Sequence, residues 1–163
     1  MDIRGKKAVV FGGTSGIGRA TCKELQARGA DVVAVSRDPH KVGTPMDNVR
    51  LAAVDARDGD AVSAFFESEG KIDILISTAT GGSRAFGPFL EMDIDSFKGS
   101  FDKLWGYSNV VRYGTTKLGD DGCIVLVSGT PARKMKPGQV ALSAVGGAVE
   151  ALARAIAPEI APK

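Results

Sequence analysis

Short runs of apolar, mostly β-branched residues alternate along the chain with stretches in which apolar residues recur at helical spacing. The apolar runs predict strands, and because they are nearly continuous, we expect both faces of these strands to be buried. The predicted strands are residues 7–11, 31–36, 49–54, 72–77 and 123–128. The predicted helices are residues 17–28, 58–69, 94–118 and 139–157.

Strands that alternate with helices in this way are typical of a parallel sheet covered by helices on both faces. The pattern therefore predicts an α/β fold, a doubly wound parallel sheet in a three-layer αβα arrangement. No shift in composition, internal repeat or low-complexity tract marks a boundary. We expect residues 1–163 to form a single domain.

The composition is that of a soluble globular domain, with 44% hydrophobic and 25% charged residues. The net charge of +2, with both signs mixed, does not indicate a nucleic-acid or membrane partner. We expect no apolar run of the roughly 20 residues that a membrane span needs. Cys22 and Cys123 fit no metal or disulfide spacing and His40 stands in a turn-like stretch, so we expect no metal site and a reducing cytoplasmic location.

A glycine-rich turn, GGTSGIGRA, stands between the first strand and the first helix. Gly12 permits a tight turn, Gly16 lets the backbone approach a pyrophosphate, and Gly18 lets the helix pack closely on the sheet. The helix N-terminus then offers N–H groups and a positive dipole end to phosphate. Such a turn can be merely structural, but its place in a βαβ unit favours dinucleotide binding. The predicted contacts from this turn are Gly12, Thr14, Ser15, Gly16, Ile17 and Gly18.

The end of the second strand indicates which dinucleotide is bound. An acidic residue there suits a ribose 2′-hydroxyl and a basic residue suits a 2′-phosphate. Ser36 and Arg37 favour NADP(H) over NAD(H), although Asp38 weakens the preference and Arg37 could be a solvated loop residue. Asp55 after the third strand could cap the next helix or contact adenine. The predicted contacts beyond the glycine turn are Ser36, Arg37, Asp55, Ala56, Thr78 and Ala79.

On these residues the whole chain resembles the short-chain dehydrogenase/reductase family. GGTSGIGRA resembles its cofactor turn, DILIST the strand before its Asn-Asn-Ala-Gly segment, GCIVLVSG the strand leading to its catalytic serine, and ALSAVGGAVEALARAIAPEIAP its catalytic helix. The resemblance implies a Rossmann fold with strand order 3-2-1-4-5, a nicotinamide cofactor and carbonyl–alcohol interconversion. The family continues with a sixth and a seventh strand that are absent from this chain, so the fifth strand is expected to be an apolar edge unless another chain covers it.

The family's catalytic residues are replaced in this alignment. The tyrosine position holds Leu142, the lysine position Gly146 and the serine position Gly129. Lys103 stands at the asparagine position, and Ser-Thr-Ala-Thr at 77–80 replaces the Asn-Asn-Ala-Gly segment. Loss of a positioned general acid costs about 10²–10⁴-fold in rate. The resemblance therefore implies an NADP(H)-binding oxidoreductase relative that is weakly active or non-catalytic.

Two other functions stay open. An active enzyme of atypical mechanism could use Lys103 and Tyr107, which share one helix face, or Ser128, which adjoins the expected serine position. The three cations within 133–136 could attract an anionic substrate or simply form a solvated loop. The other alternative is a structural or interaction subunit without cofactor.

The closing helix carries an apolar stripe that we expect to face the core and, opposite it, small residues that let a partner helix approach. The stripe is Leu142, Val145, Val149, Leu152 and Ile156, and the small residues are Ser143, Gly147 and Ala151. In the family this helix and the preceding long one build the subunit interface. We therefore expect a homo-oligomer, a dimer or tetramer, through helices 94–118 and 139–157, with Trp105 in the core or the interface. A helix covered by the chain's own residues is the alternative.

Overall fold

The computed structural model describes residues 2–41, 46–80 and 82–162. Its strands are β1 (Lys7–Phe11), β2 (Asp31–Ser36), β3 (Val49–Ala53), β4 (Ile72–Ser77) and β5 (Leu118–Leu126). Its helices are α1 (Gly16–Ala27), α2 (Gly59–Glu69), α3 (Ile94–Gly99), α4 (Asp102–Gly114) and α5 (Val140–Ile160). All strand pairs are parallel and the order is β3-β2-β1-β4-β5. The predicted doubly wound α/β sheet with order 3-2-1-4-5 is confirmed.

Alternate side chains of the inner strands belong to two separate hydrophobic cores, one on each face of the sheet. On one face Val9 and Phe11 pack with Phe66 of α2 and Val110 of α4. On the other face Ala8 and Val10 of β1 pack with Cys22 of α1. Residues one apart on a strand point to opposite faces, so a continuous apolar run fills both cores and gives the three layers.

The inner strands β1, β2 and β4 are buried on both faces, as predicted. For the two edge strands this prediction is wrong. Leu51 on β3 is 37% exposed and Val125 on β5 is 45% exposed. Each edge strand has a neighbour on one side within the described sheet, and helices cover it less completely. β5 is thus the partly exposed apolar edge that the resemblance implied.

The predicted helix 94–118 is wrong as one element because the chain forms α3 and α4 with a break at Ser100. The Ser100 hydroxyl donates to the Ser96 carbonyl at 3.0 Å and accepts from the Ala85 N–H at 2.9 Å. The backbone tightens there, since the Phe101 N–H bonds the Lys98 carbonyl three residues earlier at 2.9 Å. The side chain of Ser100 therefore competes for backbone groups that a straight helix would use.

The start of β5 also differs from the prediction, which placed this strand at 123–128. Leu118 pairs with Ile72, the register then shifts, and Cys123 pairs with Ile74. A Cβ atom at Gly122 would lie 2.5 Å from Leu118 Cγ, so glycine permits this irregularity. The polar segment 119–122 has no strand-like pattern, which is why the sequence did not reveal it.

The closing helix α5 packs against α4 and the short turn Thr130–Ala132. Val145 and Val149 of the predicted stripe are buried, whereas its remaining members are partly exposed. With 21 residues and a mean hydropathy of 1.5, α5 is long and apolar enough for a membrane span by length and composition. The expectation that no such segment exists is therefore wrong, although Glu150 and Arg154 interrupt its apolar surface.

Candidate dinucleotide site and adjoining cleft

The turn between β1 and α1 comes very close to the end of β4. Gly12 and Gly16 have φ angles of 78° and 47°, in the left-handed region that favours glycine. A Cβ atom at Gly12 would lie 2.6 Å from the Thr78 hydroxyl oxygen and 2.7 Å from the Ala79 amide nitrogen. A Cβ atom at Gly18 would collide with the Gly12 carbonyl oxygen. The turn thus requires glycine at 12 and 18, while Gly16 faces open space.

The first turn of α1 offers a position for an anion. Ser15 is the N-cap residue, and its side chain makes no capping hydrogen bond. The first turn contains no acidic side chain, and Ile17 is 65% exposed. Because the N–H groups of a first helical turn lack intrahelical partners and lie at the positive end of the dipole, this position suits a phosphate.

Two adjoining clefts flank this turn. The first cleft, of about 550 Å³, lies at the carboxyl ends of β1, β2 and β3, and the second cleft, of about 450 Å³, lies between α1, the end of β4 and α5. Of the predicted cofactor contacts, the first cleft is lined by Gly12, Thr14, Ser15, Ser36, Arg37, Asp55, Ala56 and Ala79. The second cleft is lined by Gly12, Ser15, Gly16, Ile17, Gly18, Thr78 and Ala79. The structure therefore brings every predicted contact to one of two connected clefts.

The end of β2 supplies a buried hydroxyl and an arginine to the first cleft. The Ser36 hydroxyl oxygen is buried and has no hydrogen-bond partner within the described ranges. Arg37 is exposed and forms no ion pair within those ranges. Lys41 also lines the cleft, but its ammonium lies 2.9 Å from the Asp38 carboxylate, and the hydrogen bond from Lys41 lowers the pKa of Asp38. Asp38 is thus paired with Lys41, while Arg37 has no direct ion pair and acts only through its charge, which helps to lower the pKa of Asp55.

A second arginine, Arg57, neutralises the other carboxylates of the first cleft. Its guanidinium lies 2.7 Å from the Asp55 carboxylate and 3.1 Å from that of Asp102. The hydrogen bond from Arg57 holds the pKa of Asp55 below its ordinary value despite partial burial. The interpretation of Asp55 as the cap of the next helix is wrong. Asp58 is the N-cap of α2, and its side chain accepts the Ala61 N–H at 3.0 Å. Sequence reasoning missed Arg57, although it stands two residues after Asp55.

The helix α4 fixes the loop that forms the floor of the first cleft. The Asn109 side-chain amide donates to the carbonyl oxygens of Ala56 and Arg57, each at 3.1 Å. A Cβ atom at Gly106 would lie 3.3 Å from the Ala56 Cβ, so helix and loop are in close contact. These contacts hold the residues after β3 against α4.

In the second cleft, the closing helix presents an apolar wall. Leu142, Val145 and Gly146 line it, together with Ser128 from the segment after β5. The Ser128 hydroxyl donates to the Gly146 carbonyl oxygen at 3.1 Å. A Cβ atom at Gly146 would lie 2.8 Å from the Ala132 Cβ, so the turn Thr130–Ala132 occupies the space that a larger side chain would need.

Lys103 and Tyr107 share one face of α4, as predicted, but not as a hydroxyl–ammonium pair. The Lys103 ammonium lies over the Tyr107 ring, 5.3 Å from its centroid. The Tyr107 hydroxyl donates to the Val127 carbonyl at 3.0 Å, and burial raises the pKa of this phenol. Lys103 lines both clefts, and burial, then the charge of Arg84, lower its pKa. Trp105 on the same helix is 60% exposed, so its placement in the core is excluded.

The family model for short chain dehydrogenases matches residues 6–163. The chain belongs to the short-chain dehydrogenase family. This membership confirms the resemblance and accounts for the Rossmann-type sheet with its glycine turn. In the family's α/β architecture, ligands bind at the carboxyl ends of the strands, and both clefts lie there.

Two relatives and one solved structure illustrate the similarity. L-xylulose reductase of Mesocricetus auratus and carbonyl reductase (NADPH) 2 of Sus scrofa are each 31% identical over 169 residues, covering 99% of this chain and 68% of theirs. A short chain dehydrogenase from Burkholderia cenocepacia J2315, solved in complex with NADP, has a TM-score of 0.89 at 26% identity. That comparison covers 99% of this chain and 69% of the other.

The described cysteine, histidine and acidic residues were compared with the clusters that hold metal ions in proteins. No group of three or more His, Cys, Asp or Glu residues that could hold a metal occurs in residues 2–41, 46–80 and 82–162. Cys22 and Cys123 are free thiols. Burial raises the pKa of Cys22 to about 12, which makes it a poor nucleophile.

Proposed function

We propose that this chain binds NADP(H) in the first cleft and has little or none of the family's ordinary carbonyl–alcohol activity. The observation that carries this proposal is at the end of β2. There the buried hydroxyl of Ser36, which has no hydrogen-bond partner among the described residues, adjoins Arg37, which forms no ion pair among them. A hydroxyl and a guanidinium fork together suit a 2′-phosphate. A relative named for NADPH and a structural neighbour in complex with NADP support this choice of dinucleotide.

The residues of the second cleft are the reason for proposing that ordinary catalysis is lost. The family alignment puts its tyrosine at Leu142 and its lysine at Gly146, and neither residue can move a proton. Ala132 fills the space beside Gly146. The nearby phenol of Tyr107 already donates to a backbone carbonyl, and its raised pKa disfavours proton release. Gly129 stands at the family's serine position in this alignment, and the hydroxyl of the adjoining Ser128 donates to the Gly146 carbonyl oxygen.

Calorimetric titration with NADPH and then NADH tests the cofactor assignment. We expect tighter binding of NADPH, and we expect Arg37→Gln to weaken NADPH roughly tenfold to hundredfold, the value of a lost charged hydrogen bond. Binding of NADH should stay unchanged in that variant. Arg28→Gln is the matched control, because Arg28 is exposed and pairs with Glu24 at the far end of α1. Absence of binding by either dinucleotide would contradict the proposal and favour an interaction subunit without cofactor.

A second candidate is an active enzyme in which Lys103 supplies the proton. The favouring observation is its position in both clefts with a lowered pKa, which brings an amine closer to the range of a general acid. NADPH oxidation with a panel of carbonyl compounds tests this candidate. Turnover that is lost in Lys103→Met, with NADPH affinity retained, would support it, and turnover that survives would exclude it.

The proposal includes a homo-oligomer, a dimer or tetramer, built through 94–118 and 139–157. Its support is apolar exposure on these segments, 60% for Ile94, 60% for Trp105 and 39% for Val140. Sedimentation of the native protein and of Trp105→Glu tests it, with dissociation expected in the variant. The free thiols support the cytoplasmic location that the sequence suggested.

A further inference from the structure

Two cations line the second cleft, and no carboxylate does so among the described residues. Arg84, from the loop after β4, and Lys103, from α4, both line it. Among the described residues that line this cleft there is no Asp or Glu. The nearest carboxylates of the first cleft are already engaged, since Asp55 and Asp102 both pair with Arg57. The described residues that line the second cleft therefore carry a net positive charge.

Neither cation has an ion-pair partner within residues 2–41, 46–80 and 82–162. The contact of the Lys103 ammonium that the structure does show is with the ring face of Tyr107. Burial lowers the pKa of Lys103, and the positive charge of Arg84 lowers it further, so the two cations repel each other. A partly desolvated ammonium beside a second cation is stabilised by a counterion.

The loop that carries Arg84 is held in position by Ser100, in the break between α3 and α4. The N–H of the next residue, Ala85, donates to the Ser100 hydroxyl at 2.9 Å, and both residues are buried. The Ser100 contact therefore fixes the backbone next to Arg84, and α4, which carries Lys103, begins two residues after Ser100. The Arg84 side chain is exposed, but its charge acts on the partly buried Lys103.

Apolar side chains also line the second cleft. They are those of Leu142 and Val145 of α5, with Val127 and Pro131. A cleft lined by both cations and aliphatic side chains suits an organic anion with a short apolar chain better than an inorganic ion. The cations of 133–136 do not contribute, because none lines either cleft and Arg133 pairs with Glu150 at 3.1 Å.

We propose that the second cleft binds the carboxylate of a small aliphatic acid, with Arg84 and Lys103 as its ligands, beside the bound dinucleotide. The assignment rests on the proposed NADP(H) site, which uses the α1 end of the same cleft for phosphate. The acid would then lie with its carboxylate on the two cations and its chain against aliphatic lining residues such as Leu142. Because guanidinium binds carboxylate through paired hydrogen bonds, Arg84 sets the orientation and Lys103 adds charge.

Calorimetric titration of NADPH-saturated protein with hexanoate and with hexanamide tests this site. Hexanamide matches hexanoate in chain length and lacks its charge. We expect hexanoate to bind at least tenfold more tightly than hexanamide. Arg84→Gln and Lys103→Met should each weaken hexanoate roughly tenfold to hundredfold, while Lys103→Arg retains most of the affinity. Lys98→Gln is the matched control, since Lys98 is exposed on α3 and pairs with Asp95.

Three results would overturn the proposal: no hexanoate binding, equal affinity for the two probes, or unchanged affinity in both variants. Displacement of hexanoate by NADPH would also overturn it, because the anion site would then be the phosphate site itself. The NADPH titration that precedes the probe tests the proposed function separately. If NADPH does not bind, hexanoate titration of the unloaded wild type and the same variants still decides whether Arg84 and Lys103 form an anion site. Thermal melting of each variant verifies folding.

Discussion

The two clefts share a wall but differ in what their side chains can do. In the first cleft, Asp38 and Asp55 each pair with a cation, whereas Arg37, which adjoins the unpartnered hydroxyl of Ser36, forms no ion pair among the described residues. In the second cleft, the closing helix contributes Leu142 and Gly146, which the proposed function takes as the replaced proton-transfer positions. The difference teaches that, under the proposed function, different strands and helices supply dinucleotide binding and proton transfer, so that one can be kept without the other.

The largest effect is expected from Gly18→Ala, which disrupts the turn shared by both clefts. The added Cβ collides with the Gly12 carbonyl oxygen, and backbone cannot yield as a flexible side chain does. We expect a loss of about 3 kcal/mol in the free energy of unfolding and no measurable NADPH binding. Urea unfolding and calorimetry measure the two effects. A stable variant that binds NADPH normally would show that the close approach at Gly18 is unnecessary.

The adjacent glycines of α5 sharpen the comparison within the second cleft. Gly146→Ala brings its Cβ to 2.8 Å from that of Ala132, so we expect a destabilisation of about 1–2 kcal/mol. Gly147→Ala meets no atom within 4 Å and should stabilise the protein by about 0.5–1 kcal/mol through helix propensity. Thermal unfolding of the two variants side by side provides the measurement. If Gly146→Ala is equally stabilising, the cleft has room for a lysine and the contrast between the clefts weakens.

Glu69 lines neither cleft, so its substitution should change the stability of the fold without changing NADPH binding. The Glu69 carboxylate is buried between Lys7 and Arg50. Burial acts to raise the pKa of Glu69, but hydrogen bonds from Arg50 and Lys7 outweigh it and hold the pKa below its ordinary value. We expect Glu69→Gln to lower the free energy of unfolding by about 1–2 kcal/mol at pH 7, with NADPH affinity unchanged.

The pH dependence of this variant has a defined sign. A carboxyl group with a lowered folded-state pKa stabilises the protein above its unfolded pKa, and this contribution disappears as pH falls through the folded value. Urea unfolding at pH 7 and at about pH 3 should therefore show a smaller difference between wild type and Glu69→Gln in acid. A difference that grows in acid would contradict the assigned role of the two cations.

The smallest effect is expected from Arg57→Gln. The substitution releases the carboxylates of Asp55 and Asp102 into the first cleft, where they repel phosphate. Because these groups are partly exposed, we expect a stability change of about 0.5 kcal/mol and a several-fold weaker affinity for NADPH. Titration at low and high salt checks the cause, since an electrostatic effect shrinks as salt rises. An affinity equal to wild type would mean that Arg57 does not shape the cofactor cleft.

The parts that could be predicted from sequence are those set by local pattern. The inner strands and the glycine turn follow from continuous apolar runs and from backbone angles that favour glycine. The break at Ser100, the pairing of Arg57 with Asp102 and the contact of Gly146 with Ala132 depend on residues distant in the chain. Periodicity carries no information about such contacts. Exposure of β3 and β5 likewise depends on their place in the sheet rather than on their apolar residues.

The edge strand β5 has a consequence for how the given chain, taken by itself, behaves at high concentration. Its outer row of backbone groups faces no other strand in the described sheet, and the Val125 side chain lies 45% exposed in its second half. Such an edge is a template for aggregation by strand addition. The first half of β5 carries the exposed carboxylates of Asp120 and Asp121. These charges oppose strand addition, because the same carboxylates on a second copy of the chain would repel them. The apolar residues 123–126 lack that protection, so self-association through β5 should begin at that end.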